Sequence, residues 1–321
     1  MLPRALAVGI DTVLDRTVAP GYTRIGPAIR RHLSTWPADP EPDALKGMVV
    51  AVTGATSGLG LATAEGLARL GAEVLMVVRD TDKGARVTRE IQSRLPLAEL
   101  HLARCDVGDL DDVRRFAEEL DVERLDVLVH NAGVMPPQRT ESPQGHELTM
   151  TLHVLGPVLM TELLRPRLDD ARVVMVTSGG MYGQRLRADD PEYLQGDYSP
   201  TTAYARSKRA QVELGPVLDQ RWGPDGISVH ATHPGWADTP GVMSSLPTFH
   251  RVTGPLLRDA EGGADTTVWL AATEPVPTGG RLWHDRRPRP FHVLRRTRTG
   301  EDERAQLWDW VRTQLDLPQG P

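Results

Sequence analysis

A glycine-rich turn between an apolar run and an amphipathic stretch constrains this chain more than any other feature. It reads Thr53-Gly54-Ala55-Thr56-Ser57-Gly58-Leu59-Gly60. Residues 48–53 before it are apolar and β-branched, and 61–70 after it have helical spacing. A strand that turns on glycines into a helix lets the backbone approach a pyrophosphate, which then sits at the helix N-terminus. The pattern continues. Apolar runs at 73–78, 100–104, 125–130, 172–177 and 227–232 alternate with helical patterns at 81–94, 109–119, 145–164 and 202–221. Such alternation predicts a parallel sheet covered on both faces. The expected fold is α/β, a doubly wound, mostly parallel sheet of seven strands, with residues 47–321 as one domain.

Charge and cysteine content exclude several functions. Thirty-seven basic against 43 acidic residues give a net charge of −6, which argues against a nucleic-acid binder. The single cysteine, Cys105, excludes an intramolecular disulfide and a cysteine-based zinc cage. It reads as a small core residue. The ten histidines form no metal-ligand pair of the HExxH type, so no metal is expected. No apolar run approaches the ~20 residues needed to span a bilayer. Asp11 and Asp15 interrupt the N-terminal apolar stretch, which does not resemble a signal peptide, so the expected location is cytoplasmic.

Residues 1–46 read as a helical extension with a linker stiffened by Pro37, Pro40 and Pro42. Leu6, Ile10, Val13 and Leu14 share a helical face, with Asp11, Asp15 and Arg16 elsewhere. Ile25, Ile29, Leu33 and Trp36 repeat the pattern beside arginines. Such helices pack on the main domain, lie on a membrane surface or form an oligomer contact. Seven arginines between Arg281 and Arg298 read either as a solvated basic segment or as a surface for an anionic substrate tail or phospholipid.

Two groups carry chemistry. Tyr204 and Lys208, four residues apart, share a helical face, where a cation would favour the phenolate and help Tyr204 exchange a proton. Ser178 follows the run at 172–177, at the sheet edge where open α/β folds bind ligands. Arg79 ends the second strand. At this point an acidic residue receives the ribose 2′-hydroxyl of NAD, whereas arginine accommodates the 2′-phosphate of NADP. NADP(H) is therefore the expected cofactor over NAD, unless Arg79 is only a surface residue paired with Asp80 or Asp82.

Taken in order, the glycine turn, Arg79, Asp106-Val107, Asn131-Ala132-Gly133, Ser178, Tyr204/Lys208 and Pro234-Gly235 resemble the short-chain dehydrogenase/reductase family, with its Rossmann-type fold. The stretch from His233 to Val242 is similar to the member 12-like branch of its dehydrogenase/reductase proteins. The resemblance implies cofactor binding by Gly54, Ser57, Gly58, Leu59 and Gly60, with Asp106 and Val107 flanking the adenine. It implies that Asn131, Ala132 and Gly133 support the cleft and that Lys208 also holds the nicotinamide ribose. Pro234, Gly235 and Thr239 would border the nicotinamide and pyrophosphate. The implied reaction is hydride transfer between nicotinamide and a lipophilic aldehyde, ketone or alcohol. The alternatives are a regulator that binds NADP without turnover and a membrane-peripheral interaction protein. Residues 240–257 occupy the substrate-loop position, where Val242, Met243, Leu246, Phe249, Val252 and Leu256 would line a pocket or pack as an ordinary helix.

One position departs from the family. Its helix asparagine corresponds to His153, which either joins the site or merely packs. Pro157 lacks an N–H for the carbonyl four residues earlier, that of His153. That carbonyl is where the family holds a water in its proton relay.

Overall fold

The computed structural model describes residues 3–239, 243 and 247–318. Among these residues eight strands form one sheet: β1 (Val49–Thr53), β2 (Glu73–Val78), β3 (Leu100–Arg104), β4 (Val127–His130), β5 (Arg172–Val176), β6 (Ser228–Thr232), β7 (Arg281–His284) and β8 (Arg287–Arg289). Their order is β3-β2-β1-β4-β5-β6-β7-β8. The first seven run parallel, and β8 turns back antiparallel against β7 with Leu282 opposite Arg289. The seven expected parallel strands thus gain an antiparallel edge. The strand order reverses between β1 and β4, and a crevice opens at their carboxyl ends, where doubly wound sheets hold ligands.

The helices number α1 (Arg4–Arg16), α2 (Ala19–Tyr22), α3 (Ile25–Arg30), α4 (Gly58–Arg69), α5 (Thr81–Arg94), α6 (Leu110–Glu119), α7 (Leu148–Met150), α8 (Gly156–Leu164), α9 (Pro200–Trp222), α10 (Pro247–Thr253), α11 (Ala260–Ala272) and α12 (Glu301–Gln314). Strand alternation sorts the core onto two faces. Val50, Val52, Val74 and Met76 pack with Leu67 of α4, Ile91 of α5 and Leu270 of α11. Ala51, Leu75 and Val77 face the other way, toward Val113 of α6, Val158 of α8 and Leu214 of α9. Both faces are covered, which is why the strands read as near-continuous apolar runs. Cys105 is buried in this core as a free thiol, as expected.

The extension packs on the main domain, and its inner face is largely charged. Helix α1 buries Ala7 and Leu14 together with Asp11 and Asp15, while Leu6 and Val13 face solvent at 50% and 61% exposure. The acidic residues turn inward because cations wait there. Asp11 accepts from Arg30 Nε at 2.7 Å and from both Arg289 terminal nitrogens at 2.9 Å. Asp285 pairs with Arg258 at 2.5 Å and with Arg30. Arg286 and Arg289 are therefore buried, and Arg286 holds Asp265 at 2.7 Å, so this part of the basic segment is not solvated. Burial opposes the charge on Asp11, but Arg289 and Arg30 outweigh it and hold the carboxyl below its ordinary pKa.

Candidate active site

The glycine turn is shaped by close approach. Gly54 has φ +69°, and a Cβ there would lie 2.9 Å from the Ala132 Cα. At Gly60 a Cβ would meet the Asn131 Nδ2 and the Gly54 carbonyl, each at 2.3 Å. Only glycine lets α4 start so close to the end of β4. Thr53 ties the two strand ends together. Its Oγ1 accepts from the Asn131 and Ala132 amides at 3.0 Å, and its carbonyl accepts from Asn131 Nδ2 at 3.1 Å.

Above this turn lies a cleft of about 660 Å³, within the range of roughly 300–1,000 Å³ common for cofactor sites. It brings together fourteen residues expected from the sequence: Gly54, Ser57, Gly58, Leu59, Gly60, Arg79, Asp106, Val107, Asn131, Ala132, Gly133, Ser178, Tyr204 and Thr239. Sequence reasoning missed Lys83, which lines it beside Arg79. Its one sequence trait, a cation in the first turn of α5, is shared by many solvated lysines. Asp80 does not pair with Arg79. It caps α5 by accepting from the Lys83 amide at 2.9 Å. Arg79 is three-quarters exposed and makes one loose pair, with Asp106 at 3.8 Å.

Ser178 ends the segment after β5, where its Oγ accepts from the Gly180 amide at 3.3 Å. The Tyr204 phenol, which α9 presents from its first turns, lines the same cleft as Ser178. Lys208, one turn further, is buried. It donates to the Val176 carbonyl at 2.9 Å, with Nζ 5.6 Å from the Tyr204 ring centre. Burial pushes the phenol up to about 12, with the Ser178 side chain opposing, and pulls the lysine down to about 7. The expected lowering of the tyrosine by its neighbour is therefore absent from this geometry, because burial dominates both groups.

The short chain dehydrogenase family model matches residues 48–248. The chain belongs to the short-chain dehydrogenase family. It is 37% identical over 271 residues to dehydrogenase/reductase SDR family member 12 of Bos taurus, covering 81% of this chain and 84% of that one. It is 35% identical to retinol dehydrogenase 12 of Bos taurus, over 75% of this chain and 78% of the relative. Among solved structures, a Beutenbergia cavernae protein assigned as an NAD(P)-dependent gluconate 5-dehydrogenase, with NADP at low occupancy, has a TM-score of 0.61 and 26% identity. That match covers 75% of this chain and 96% of the other.

Against this short-chain dehydrogenase frame, His153 is neither exposed nor titrating. Its Nδ1 lies 2.8 Å from the Ser207 Oγ, whose proton goes to the Tyr204 carbonyl at 2.8 Å. The imidazole must then donate from Nδ1 and use Nε2 as acceptor, for the Val134 amide at 3.2 Å. A second proton would break that acceptor. Burial, with Lys208 nearby, holds its pKa well below the ordinary value. His153 so ties the loop after β4 to the first turns of α9, with its ring edge-on to Tyr204 at 5.2 Å.

The expected relay carbonyl is also engaged. Residues Thr151–Leu155 form a π turn, and the His153 carbonyl accepts from Gln211 Nε2 at 2.7 Å. Pro157 leaves that carbonyl without its usual helical partner, and a side chain of α9 supplies one.

His153, Lys208, Pro234 and Gly235 stand outside the residues that line the cleft. The Pro234-Gly235 turn is fixed from the extension instead. Tyr22 carbonyl accepts from the Trp236 amide at 2.7 Å and from Arg258 Nε at 2.9 Å. In the expected substrate loop, Met243 and Leu256 are exposed. Val242, Leu246 and the side chains of Phe249 and Val252 lie outside the described residues. Among the described residues no cluster suits a metal ion, and no helix is long and apolar enough to cross a membrane.

Proposed function

We propose that this chain is an NADP(H)-dependent reductase of lipophilic aldehydes or ketones, working also in the reverse direction on the corresponding alcohols. The observation that carries the reading is that Tyr204 and Ser178 line the same cleft as the glycine turn and the Arg79/Lys83 pair. The cleft fits such a cofactor. Gly54, Gly58 and Gly60 line it without side chains, and Arg79 and Lys83 would receive a 2′-phosphate. NADP in the Beutenbergia structure and the retinol named in one relative support the cofactor and the substrate class.

When bound, the nicotinamide supplies the hydride. Ser178 and Tyr204 converge on the substrate oxygen, so both can polarise it. A phenol shifted up to about 12 keeps its proton at neutral pH, which is the form a carbonyl reduction needs. Tyr204 gives that proton to the oxygen as negative charge develops there, and recovers one from solvent. Lys208, which donates to Val176, would hold the ribose as the family resemblance implies, and His153 links the loop after β4 to the first turns of α9.

Absorbance assays of NADPH and NADH consumption with long-chain and short polar carbonyls test the proposal. NADPH with lipophilic carbonyls should react fastest. Absence of turnover alongside tight NADPH binding would favour a nucleotide-binding regulator.

A further inference from the structure

An amphipathic helix on a globular domain normally turns its apolar stripe inward. Here α1 does so only in part. Its inner face carries Asp11 and Asp15, held by Arg30 and Arg289, beside Ala7 and Leu14, and its outer face carries Leu6 and Val13. Ile25 and Ile29 of α3 are exposed as well.

Charge follows the same division. Asp11 and Asp15 are the only acidic residues between positions 3 and 36, and both are buried. The ionisable side chains that reach the surface of this unit are basic, namely Arg4, Arg16, Arg24, Arg31 and His32. Arg31 reaches Asp265 only at 3.5 Å and remains half exposed. An acidic chain of net charge −6 thus displays, on its extension, exposed apolar side chains among arginines.

We propose that this face docks on an anionic lipid bilayer. Exposed apolar side chains among cations match the boundary between acyl chains and negatively charged headgroups. A second copy is a poorer occupant, because a two-fold contact through this face would set the same arginines against one another. The Arg24 amide donates to the Leu256 carbonyl at 3.0 Å, so the docking face adjoins the segment after α10. That segment belongs to residues 240–257, the position expected for the substrate loop.

Flotation of the full-length protein with phosphatidylcholine vesicles, and with the same vesicles containing phosphatidylglycerol, tests the proposal. Binding should require phosphatidylglycerol and weaken with added salt. Arg4→Gln/Arg16→Gln should lower the affinity about 25-fold, taking about fivefold per arginine. Leu6→Asp/Val13→Asp should abolish flotation while leaving the NADPH titration unchanged, since these side chains already face solvent. Equal flotation on neutral vesicles, or full flotation by the arginine variant, would overturn the proposal. So would a wild-type protein that self-associates through these residues and does not float.

Discussion

Burial shifts Tyr204 and Lys208 in opposite directions, and the pair sets a pH dependence. Tyr204, raised to about 12, stays protonated across the working range, so the proton donor does not limit carbonyl reduction. Lys208, lowered to about 7, is cationic below that pH and loses its charge as pH rises through it. The rate of NADPH-linked reduction should therefore fall as pH rises through about 7. Alcohol oxidation, which needs the phenolate, should gain toward alkaline pH. His153 stays neutral throughout, so His153→Asn should leave the inflection in place. Disappearance of the inflection in that variant would assign it to the imidazole. At the adenosine end, Arg79→Ala should weaken NADPH by about 10- to 150-fold, the range of one charge-assisted phosphate contact. NADH should be nearly unaffected, and fluorescence titration compares the two. Arg79 and Tyr204 were legible in the sequence because each sits at a fixed offset from a strand or helix end. Lys83 was not, since a lysine in a first helical turn resembles any solvated cation until Arg79 stands beside it in the cleft.

Elements were legible where a regular repeat decided them. The run at 73–78 became β2 without change, and the pattern at 81–94 became α5, capped by Asp80. Strand β8 gave no such signal. Arg287-Pro288-Arg289 has no apolar alternation, and the turn before it places Asp285 and Arg286 at φ 49° and 55°. Tight hairpins of this shape favour glycine or asparagine. Here ion pairs to Arg258, Arg30 and Asp265 hold two ordinary residues in that conformation. The helical pattern at 145–164 hid a π turn, because periodicity cannot register one inserted residue. That turn and Pro157 leave the His153 carbonyl to Gln211, so Gln211→Leu would strand a buried acceptor. It should cost about 1–3 kcal/mol in urea unfolding. A loss near zero would show the carbonyl satisfied by another route.

Across the whole molecule, the extension and the β7–β8 edge stabilise one another through buried charge. Sequence patterning showed an apolar face on α1 but left open whether it packs inward, meets a membrane or meets another copy. Long-range pairing between Asp11 and Arg289 decided which face turned in, and no local signal encodes that contact. The extension consequently serves as more than a removable appendage. Asp285→Asn would leave Arg258 and Arg30 without their buried counter-charge and should cost about 3–5 kcal/mol. The folded-state pKa of Asp285 lies below its unfolded value, since His284, Arg258 and Arg30 outweigh burial. Its contribution is therefore complete above about pH 4 and lost as pH falls below that. Wild type should lose stability on acidification there, and Asp285→Asn should lose less. Deleting residues 1–36 should destabilise the fold by the same logic, seen as a lowered melting temperature. The cleft remains the centre of the account, and Tyr204→Phe addresses it most directly by removing one oxygen while keeping the ring beside His153. Measured together by NADPH titration and by NADPH consumption with a lipophilic aldehyde, the variant should bind the cofactor as wild type does. Its turnover should fall by about 10²- to 10⁴-fold, the range of a positioned proton donor. Wild-type turnover in that variant would contradict the assignment of Tyr204 as the acid.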